Sequence, residues 1–555
     1  MNPALAALLA KAKERAALKP PPPPPATIIN LTPIAASLTA HIHSSADGIT
    51  YNENQQAFIN TVASGQSAIL IGAAGTGKTT CMKGALQSLI QNGHLPHYQN
   101  DGHKHLKDAQ YGIIICAFTR RAVANIRKNL SNDLKANCIT VHAALEYAPE
   151  YYDVLDPITN EYKQTMRFAP TRNKHRPLSE TIRYVVIEEA SMLGTDLFAE
   201  LMDALPPGCK FIFLGDIQQL PPVFGPAILG YKMLELPCIE LTEVYRQALD
   251  SPIISLAHRI LSGKPMPLTE LTEWNEKYSG KGLSFHPIKK KLHAEHITPR
   301  IAAFLKKEIA DGNLDINTDM ILIPFNKGLG TDEINKEIAQ YLTLKRGEKT
   351  YEVIAGFQRH YLAVGDKVLV EKEDAEIISI NKNSMYFGNI IPKPASVTLD
   401  RWGFDSNSMK SLEGELDNFD LDVDAILASL NGAAGDKEER KNEASHVITV
   451  RMKETGEEIS LNKSAEINAL LLGYALTVHK SQGSEWRKVY CIFHQSHNTM
   501  VSRELVYTAV TRARQELYVI CESDTFVKGI TSQKVKGNTL QEKAEYFKGR
   551  KENGI

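Results

Sequence analysis

The segment Gly72-Ala73-Ala74-Gly75-Thr76-Gly77-Lys78-Thr79 follows an apolar run, Ala68 to Ile71, and precedes a segment of helical character that begins near Thr80. No other feature narrows the fold so far. The glycines allow backbone N–H groups to close around phosphate oxygens, and the following helix points its positive end at them. Lys78 can neutralise the β- and γ-phosphates, and the Thr79 hydroxyl can ligate Mg²⁺. Such a loop needs a strand before it and a helix after it. The runs Ile113 to Cys116, Tyr184 to Ile187 and Phe211 to Leu214 repeat the theme, each ending in a Gly, acidic or polar loop. Strands alternating with helices predict a parallel sheet covered on both faces, with ligands at the carboxyl ends of the strands.

A chain of 555 residues predicts several folding units. Lys plus Arg number 63 against 64 for Asp plus Glu, so any nucleic-acid contact has to come from a local channel. Seven cysteines, from Cys81 to Cys521, show neither C-x-x-C nor Cys/His ligand spacing. A zinc site and a disulfide framework are therefore not expected, and a reducing compartment is. The longest apolar candidate, Ile467 to Val478, is broken by Asn468, Gly473 and Tyr474 and is too short to span a bilayer. Residues 2 to 18 carry Lys11, Lys13, Glu14 and Arg15 and do not read as an export signal. Pro20 to Pro25 reads first as a stiff spacer and second as a ligand for an unidentified proline-binding protein.

A second group of strands, Met320 to Ile323, Val489 to Phe493 and Leu517 to Ile520, predicts another α/β unit built from distant segments. Between them, Val364 to Val370, Ser396 to Leu399, His446 to Met452 and Glu457 to Leu461 alternate as short strands, the signature of a small inserted β-barrel. Leu412 to Asp424 is acidic and Asn431 to Asn442 is polar and charged, which reads as a solvated excursion from that insert.

Two further elements carry chemistry. Val185-Val186-Ile187 ends in Glu188-Glu189, one carboxylate for the magnesium shell and one to orient and deprotonate water. Leu214-Gly215-Asp216 leads through Gln219 into Leu220-Pro221-Pro222, and the Gln219 amide can sense a terminal phosphate.

Taken together these residues resemble superfamily 1B helicases of the RecD/Dda type, over about Ile49 to Cys521. The resemblance implies an α/β fold: two RecA-like P-loop NTPase domains, a β-hairpin insertion in the first and an SH3-like β-barrel insertion in the second. It divides the chain into a flexible tail (1–47), domain 1A (48–235) with a hairpin pin 1B (146–178), and domain 2A in two parts (236–362 and 466–545). The SH3-like 2B lies between them (363–465), and a C-terminal tail follows (546–555). ATP and Mg²⁺ are the implied cofactors.

By that resemblance the nucleotide contacts are Gln55, which would read adenine, the loop residues Gly72, Ala73, Ala74, Gly75, Thr76, Gly77, Lys78, Thr79 and Thr80, and Gly483 and Glu485. Thr79 and Glu188 would hold the metal. Lys78, Glu189, Gln219, Arg246 and Arg512 would act in hydrolysis, the two arginines as fingers from the second domain. Thr119, Arg120 and His142 would grip DNA from the first domain, and Thr477, His479 and Lys480 from the second.

The chain departs from the family's usual Asp-Glu in having Glu188-Glu189, and Phe118 stands where a smaller residue or proline is usual, with packing preferred over base stacking. Tyr151 to Phe168 reads as two strands joined near Asp156 to Asn160, matching the family's strand-separating pin. The expected activity is ATP-driven translocation on single-stranded DNA, 5′-to-3′ by resemblance, with unwinding of forked duplex during replication, repair or recombination. A monomer in the cytoplasm of a bacterial or phage-infected cell is expected, with no membrane partner. Two rivals stand beside it: an RNA helicase or RNA-remodelling ATPase, and an ATP-switched nucleic-acid-binding protein that does not travel.

Overall fold

The computed structural model describes residues 50–155, 162–222, 225–243, 251–288, 292–370, 373–384, 386, 443–453 and 455–552. From Thr50 onward the chain forms one compact unit. In chain order, its first strands are β1 (Ala68–Gly72), β2 (Ile113–Ala117), β3 (Cys138–Thr140), β4 (Tyr147–Leu155), β5 (Tyr162–Pro170), β6 (Tyr184–Ile187), β7 (Lys210–Gly215) and β8 (Cys238–Leu241). Six of these form a parallel sheet in the order β3-β2-β6-β7-β1-β8.

Both faces of that sheet are covered, which explains why its strands read as unbroken apolar runs rather than alternating ones. Ala68 and Leu70 of β1, Ile113 and Ile115 of β2 and Val186 of β6 face one core with Phe58, Leu86 and Ile126. Ile69, Ile71, Ile114, Val185 and Ile187 face the other, with Leu201 and Phe213. Strands β4 and β5 stand apart as an antiparallel hairpin registered from Tyr147↔Pro170 to Leu155↔Tyr162.

The hairpin is mounted on a buried ion cluster. Arg172, just beyond β5, donates from Nε to Glu146 Oε2 at 2.6 Å and from NH1 to Asp101 Oδ2 at 2.5 Å. Glu146, just before β4, adopts φ 48° and also accepts from the Lys104 backbone N–H at 2.7 Å.

The second half contains β9 (Leu283–Pro287), β10 (Met320–Ile323), the hairpin β11 (Tyr351–Ala355) and β12 (Gln358–Leu362), then β13 (Lys367–Val370), β14 (Glu373–Lys382), β15 (Glu443–Met452), β16 (Glu458–Lys463), β17 (Leu471–Leu472), β18 (Ala475–Thr477), β19 (Trp486–Phe493) and β20 (Ala513–Cys521). A five-stranded parallel sheet runs β18-β10-β19-β20-β9. An antiparallel sheet of order β16-β15-β14-β13-β17 occupies the insert.

Three expected boundaries move. The first domain does not end at 235, because β8 pairs with β1 along Ile69↔Cys238 to Gly72↔Leu241 and closes the edge of the first sheet. The insert does not end at 465, because Leu471 and Leu472 of β17 pair with β13. The helix Leu540–Glu552 is not split between domain 2A and a tail. It returns to the first half, where Ala544 and Phe547 join the core beside Leu229 and Met233. Gly230 leaves the space for the Phe547 ring, which any Cβ there would strike. The proline run, Ser396 to Leu399, the acidic stretch and the expected hairpin tip lie outside the described residues.

Candidate functional site

The segments that follow β1, β2, β6 and β7 at the carboxyl end of the first sheet each carry an expected site residue. After β1, Gly75 (φ 81°) and Gly77 (φ 88°) take left-handed conformations that side chains disfavour. Gly77 caps the helix Lys78–Gln91 without any side-chain bond, so the first N–H groups of that helix are left for an anion. Lys78 Nζ donates to Gly72 O at 2.7 Å and Ala73 O at 3.1 Å, folding back across its own loop.

Gln55 sits differently from expectation. It is 0% exposed, accepts from the Asn52 N–H at 3.1 Å through Oε1 and donates from Nε2 to Thr76 O at 3.3 Å. Its amide completes a helix capping box and braces the phosphate loop, so in this orientation it is not presented to a base.

After β6, Glu188 and Glu189 line a cleft with Thr79, Asn125, Gly483, Glu485, Arg512 and Arg514. First-half and second-half residues thus bound one space, of about 120 Å³ and open to solvent. Burial raises the Glu188 carboxyl well above its ordinary range, and the neighbouring Glu189 and Glu485 add to this while Lys78 and Arg512 oppose it. Glu189 has φ 52°, a left-handed conformation uncommon outside glycine that costs on the order of 1–3 kcal/mol and aims its side chain independently of β6. Arg512 is buried and fixed by three bonds, Nε to Thr508 O (3.1 Å), NH1 to Ser484 O (3.1 Å) and NH2 to Thr511 Oγ1 (3.3 Å). Arg246 lies outside the described residues.

After β7, Gln219 is buried and its Oε1 has no hydrogen-bond partner among the described residues. An orphaned amide oxygen, uncapped helix N–H groups and a surplus of carboxylates fit a triphosphate with a divalent cation. Among the described residues no group of three acidic, His or Cys side chains could hold a metal unaided, so phosphate and water oxygens would have to complete its shell.

The expected nucleic-acid residues fall into two sets. On the first half, Thr119 caps the helix Arg120–Asn129 by accepting from Ala122 N at 3.1 Å, and Arg120 pairs with Glu373 of β14 at 3.3 Å. His142 stands edge-on between Phe118 (5.5 Å) and Tyr147 (5.0 Å), so Phe118 packs against protein. On the second half, Thr477 is 1% exposed and its Oγ1 accepts from Lys480 N at 3.2 Å. It forms the turn that carries His479 and Lys480, and a direct backbone contact from Thr477 is not available here.

Residues of the expected motifs that were given no role, with neighbours of them, hold the two halves together. Tyr507 donates to Asp216 Oδ2 at 2.6 Å and accepts from Ala74 N at 3.1 Å. Leu220 N donates to Thr508 Oγ1 at 3.0 Å, Gln482 Nε2 to Leu220 O at 3.0 Å and Asn125 Nδ2 to Gly483 O at 2.9 Å. Arg121 pairs with Asp374 at 2.8 Å and lies 5.9 Å from the Trp486 ring centre.

Residues 55–225 match the family model of an AAA domain, and residues 472–520 match that of a UvrD-like helicase C-terminal domain. The chain is 27% identical over 474 residues to the ATP-dependent RecD2 DNA helicase of Deinococcus radiodurans, covering 84% of this chain and 48% of that relative. It is 30% identical over 198 residues to the ATP-dependent DNA helicase dda of Enterobacteria phage T4, covering 35% of this chain and 37% of the relative. The chain is similar to RecD/Dda-like helicases of superfamily 1B. This RecD/Dda-like chain spans about half the length (48%) of the RecD2 relative. Its two matched segments carry opposite walls of the cleft, Thr79, Glu188 and Glu189 on one and Gly483, Glu485 and Arg512 on the other. A solved structure of the Pif1 helicase from Bacteroides in complex with ADP-AlF3 and ssDNA aligns over 91% of this RecD/Dda-like chain and 98% of its own, at 15% identity and a TM-score of 0.44.

Proposed function

We propose that this protein is an ATP-dependent DNA helicase that moves along single-stranded DNA, 5′-to-3′, and unwinds forked duplex. One observation carries the reading: the phosphate loop and paired carboxylates of the first sheet share a cleft with Arg512 from the second. A triphosphate held there would touch both halves, so its arrival and hydrolysis would change how they sit.

In this reading the N–H groups from Gly75 to Thr80 and the Lys78 ammonium bind the phosphates. Thr79 and Glu188 would hold the divalent cation, whose charge would offset that of the phosphates and would oppose the burial and the neighbouring carboxylates that raise Glu188. Glu189 accepts the proton of the attacking water, Gln219 donates its amide toward the terminal phosphate, and Arg512 stabilises the charge that develops there. Gln55 braces the loop.

Arg120 and His142 on one half, and His479 and Lys480 on the other, supply donors for a DNA backbone, with Thr119 and Thr477 shaping their loops. The hairpin β4–β5 is read as the strand-separating pin and the antiparallel insert as the family's SH3-like subdomain. Stacking averages about 1.4 kcal/mol per base-pair step, within reach of a rigid wedge driven by each step.

The test is a strand-displacement assay on forked duplexes bearing a 5′ or a 3′ overhang, run beside ATPase assays with DNA and RNA of one sequence. Displacement from the 5′ overhang and stimulation by DNA are expected. Turnover on single strands without displacement would favour a nucleotide-switched binder, and stimulation by RNA alone would overturn the DNA assignment.

A further inference from the structure

The buried contact between Tyr507 and the phosphate loop is not explained by the roles assigned so far. Tyr507 lies in the helix Arg503–Val510 of the second half, five residues before Arg512, and is 0% exposed. Its hydroxyl sits between two groups of the first half. It accepts from Ala74 N, the third residue of the phosphate loop, at 3.1 Å and donates to Asp216 Oδ2 at 2.6 Å. Asp216 is itself buried, with Oδ1 accepting from Gln218 N at 3.0 Å.

The geometry points to Tyr507 as a positioning residue that sets the phosphate loop and the Asp216–Gln219 turn in register with Arg512. This inference rests on the cleft being an ATPase site.

Three observations support it. Moving the helix away from the loop would leave the Asp216 carboxylate and the Ala74 N–H without the Tyr507 hydroxyl, and a buried polar group that loses its partner is costly. The bond cannot be supplied by a tyrosinate, because burial and the adjacent Asp216 carboxylate push the Tyr507 phenol well above its ordinary range and keep it a donor. The contact is also not isolated. Thr508, the next residue, accepts from Leu220 N, and Arg512 donates back to Thr508 O, so one short helix touches the phosphate loop, the turn bearing Gln219 and the arginine finger.

Tyr507 forms no bond with the reacting atoms in this arrangement. It acts by holding Arg512 and Gln219 at the same distance from whatever phosphate the loop binds. Displacements of about 1 Å from reacting geometry are enough to slow catalysis on the order of 10²-fold.

Tyr507→Phe removes one oxygen and keeps the packing. In the full chain, with saturating single-stranded DNA, kcat for ATP is expected to fall about 10- to 100-fold while KM changes by less than about threefold. A tyrosine that only packs would lower the melting temperature and leave kcat of the folded protein alone. In a double-mutant cycle with Asp216→Asn, the double variant is expected to be no slower than the slower single one, because Tyr507→Phe already removes the bond to Asp216. Losses that multiply, or a kcat for Tyr507→Phe within about twofold of the parent, would overturn the inference. Amide hydrogen exchange of the peptide containing Ala74 reads the same contact without turnover, and is expected to speed up in Tyr507→Phe. Unchanged exchange would also overturn it. A parent protein with no DNA-stimulated ATPase but with this exchange difference would sink the helicase reading and keep the contact.

Discussion

The two halves of the molecule meet along two seams of different kinds. At the nucleotide cleft the contacts are buried and hydrogen-bonded, running through Tyr507 to Asp216 and Ala74, Thr508 to Leu220 and Gln482 to Leu220 O. At the insert they are ion pairs, Arg120 with Glu373 and Arg121 with Asp374, and the Arg120 side chain is 54% exposed. A buried bond that loses one partner costs about 1–3 kcal/mol, whereas an exposed ion pair is worth about 0–1 kcal/mol and weakens with salt. Separation should therefore start at the insert, where Arg120 can exchange Glu373 for a phosphate, and reach the cleft only when nucleotide chemistry repositions its bonds.

The largest effect is expected from Arg512→Ala, which removes the arginine of the buried seam from the cleft. Hydrolysis should fall about 10³-fold or more while nucleotide binding stays within a few-fold. Single-turnover hydrolysis beside equilibrium binding decides it, and near-normal turnover would take Arg512 out of catalysis.

Acid should act next, through a buried group outside the bonds of either seam. Burial lowers the His497 imidazole from 6.5 to about 4, and it stays neutral with Nε2 2.7 Å from Leu329 O. As pH falls from about 6.5 toward 4 the unfolded chain takes up this proton and the folded one does not, so stability present above 6.5 is lost in that window. The loss should approach about 3 kcal/mol and be absent in His497→Gln, as read by denaturant midpoints across pH. Parallel pH profiles for the two proteins would remove His497 as the cause.

Within the buried seam, Thr508→Val deprives Leu220 N of its acceptor and should cost about 1–3 kcal/mol in urea unfolding, with little dependence on salt. The smallest effect belongs to the ion-paired seam. Glu373→Gln, which breaks the exposed pair with Arg120, should cost less than about 1 kcal/mol at low ionic strength and almost nothing in high salt. A cost for Glu373→Gln that matched Thr508→Val and ignored salt would erase the distinction between the seams.

What could be read from the sequence was local. The loop ending in Lys78-Thr79, the Glu188-Glu189 strand end and the turn after Gly215 each combine a short apolar run with the polar residues that follow it, and β1, β2, β6 and β7 lie at or within a residue of the expected runs. The hairpin strands were legible for the same reason, although each extends further than expected. The short strands β3, β8, β9 and β18 were not, because their sequences (Cys138–Thr140, Cys238–Leu241, Leu283–Pro287 and Ala475–Thr477) lack the unbroken aliphatic or aromatic run that marks β1, β2, β6 and β7. The Asn52-x-x-Gln55 capping box was local too, an N-cap amide with a glutamine three residues on. Tyr507 looks like an ordinary core aromatic until Asp216, 291 residues away, arrives at its hydroxyl. The helix Leu540–Glu552 presents Leu540, Ala544 and Phe547 along one stripe, yet nothing in that spacing names the surface it covers.

That returning helix governs how the second half can travel. The polypeptide departs from the first sheet after β8 and is fastened to the first half again by Phe547 among the core side chains and by Lys543, whose ammonium donates to Ile217 O at 3.2 Å. The intervening body is thus tethered at two points, like a door carried on an upper and a lower pivot. Free tumbling and wide separation are denied to it, and swinging about the line through the pivots remains.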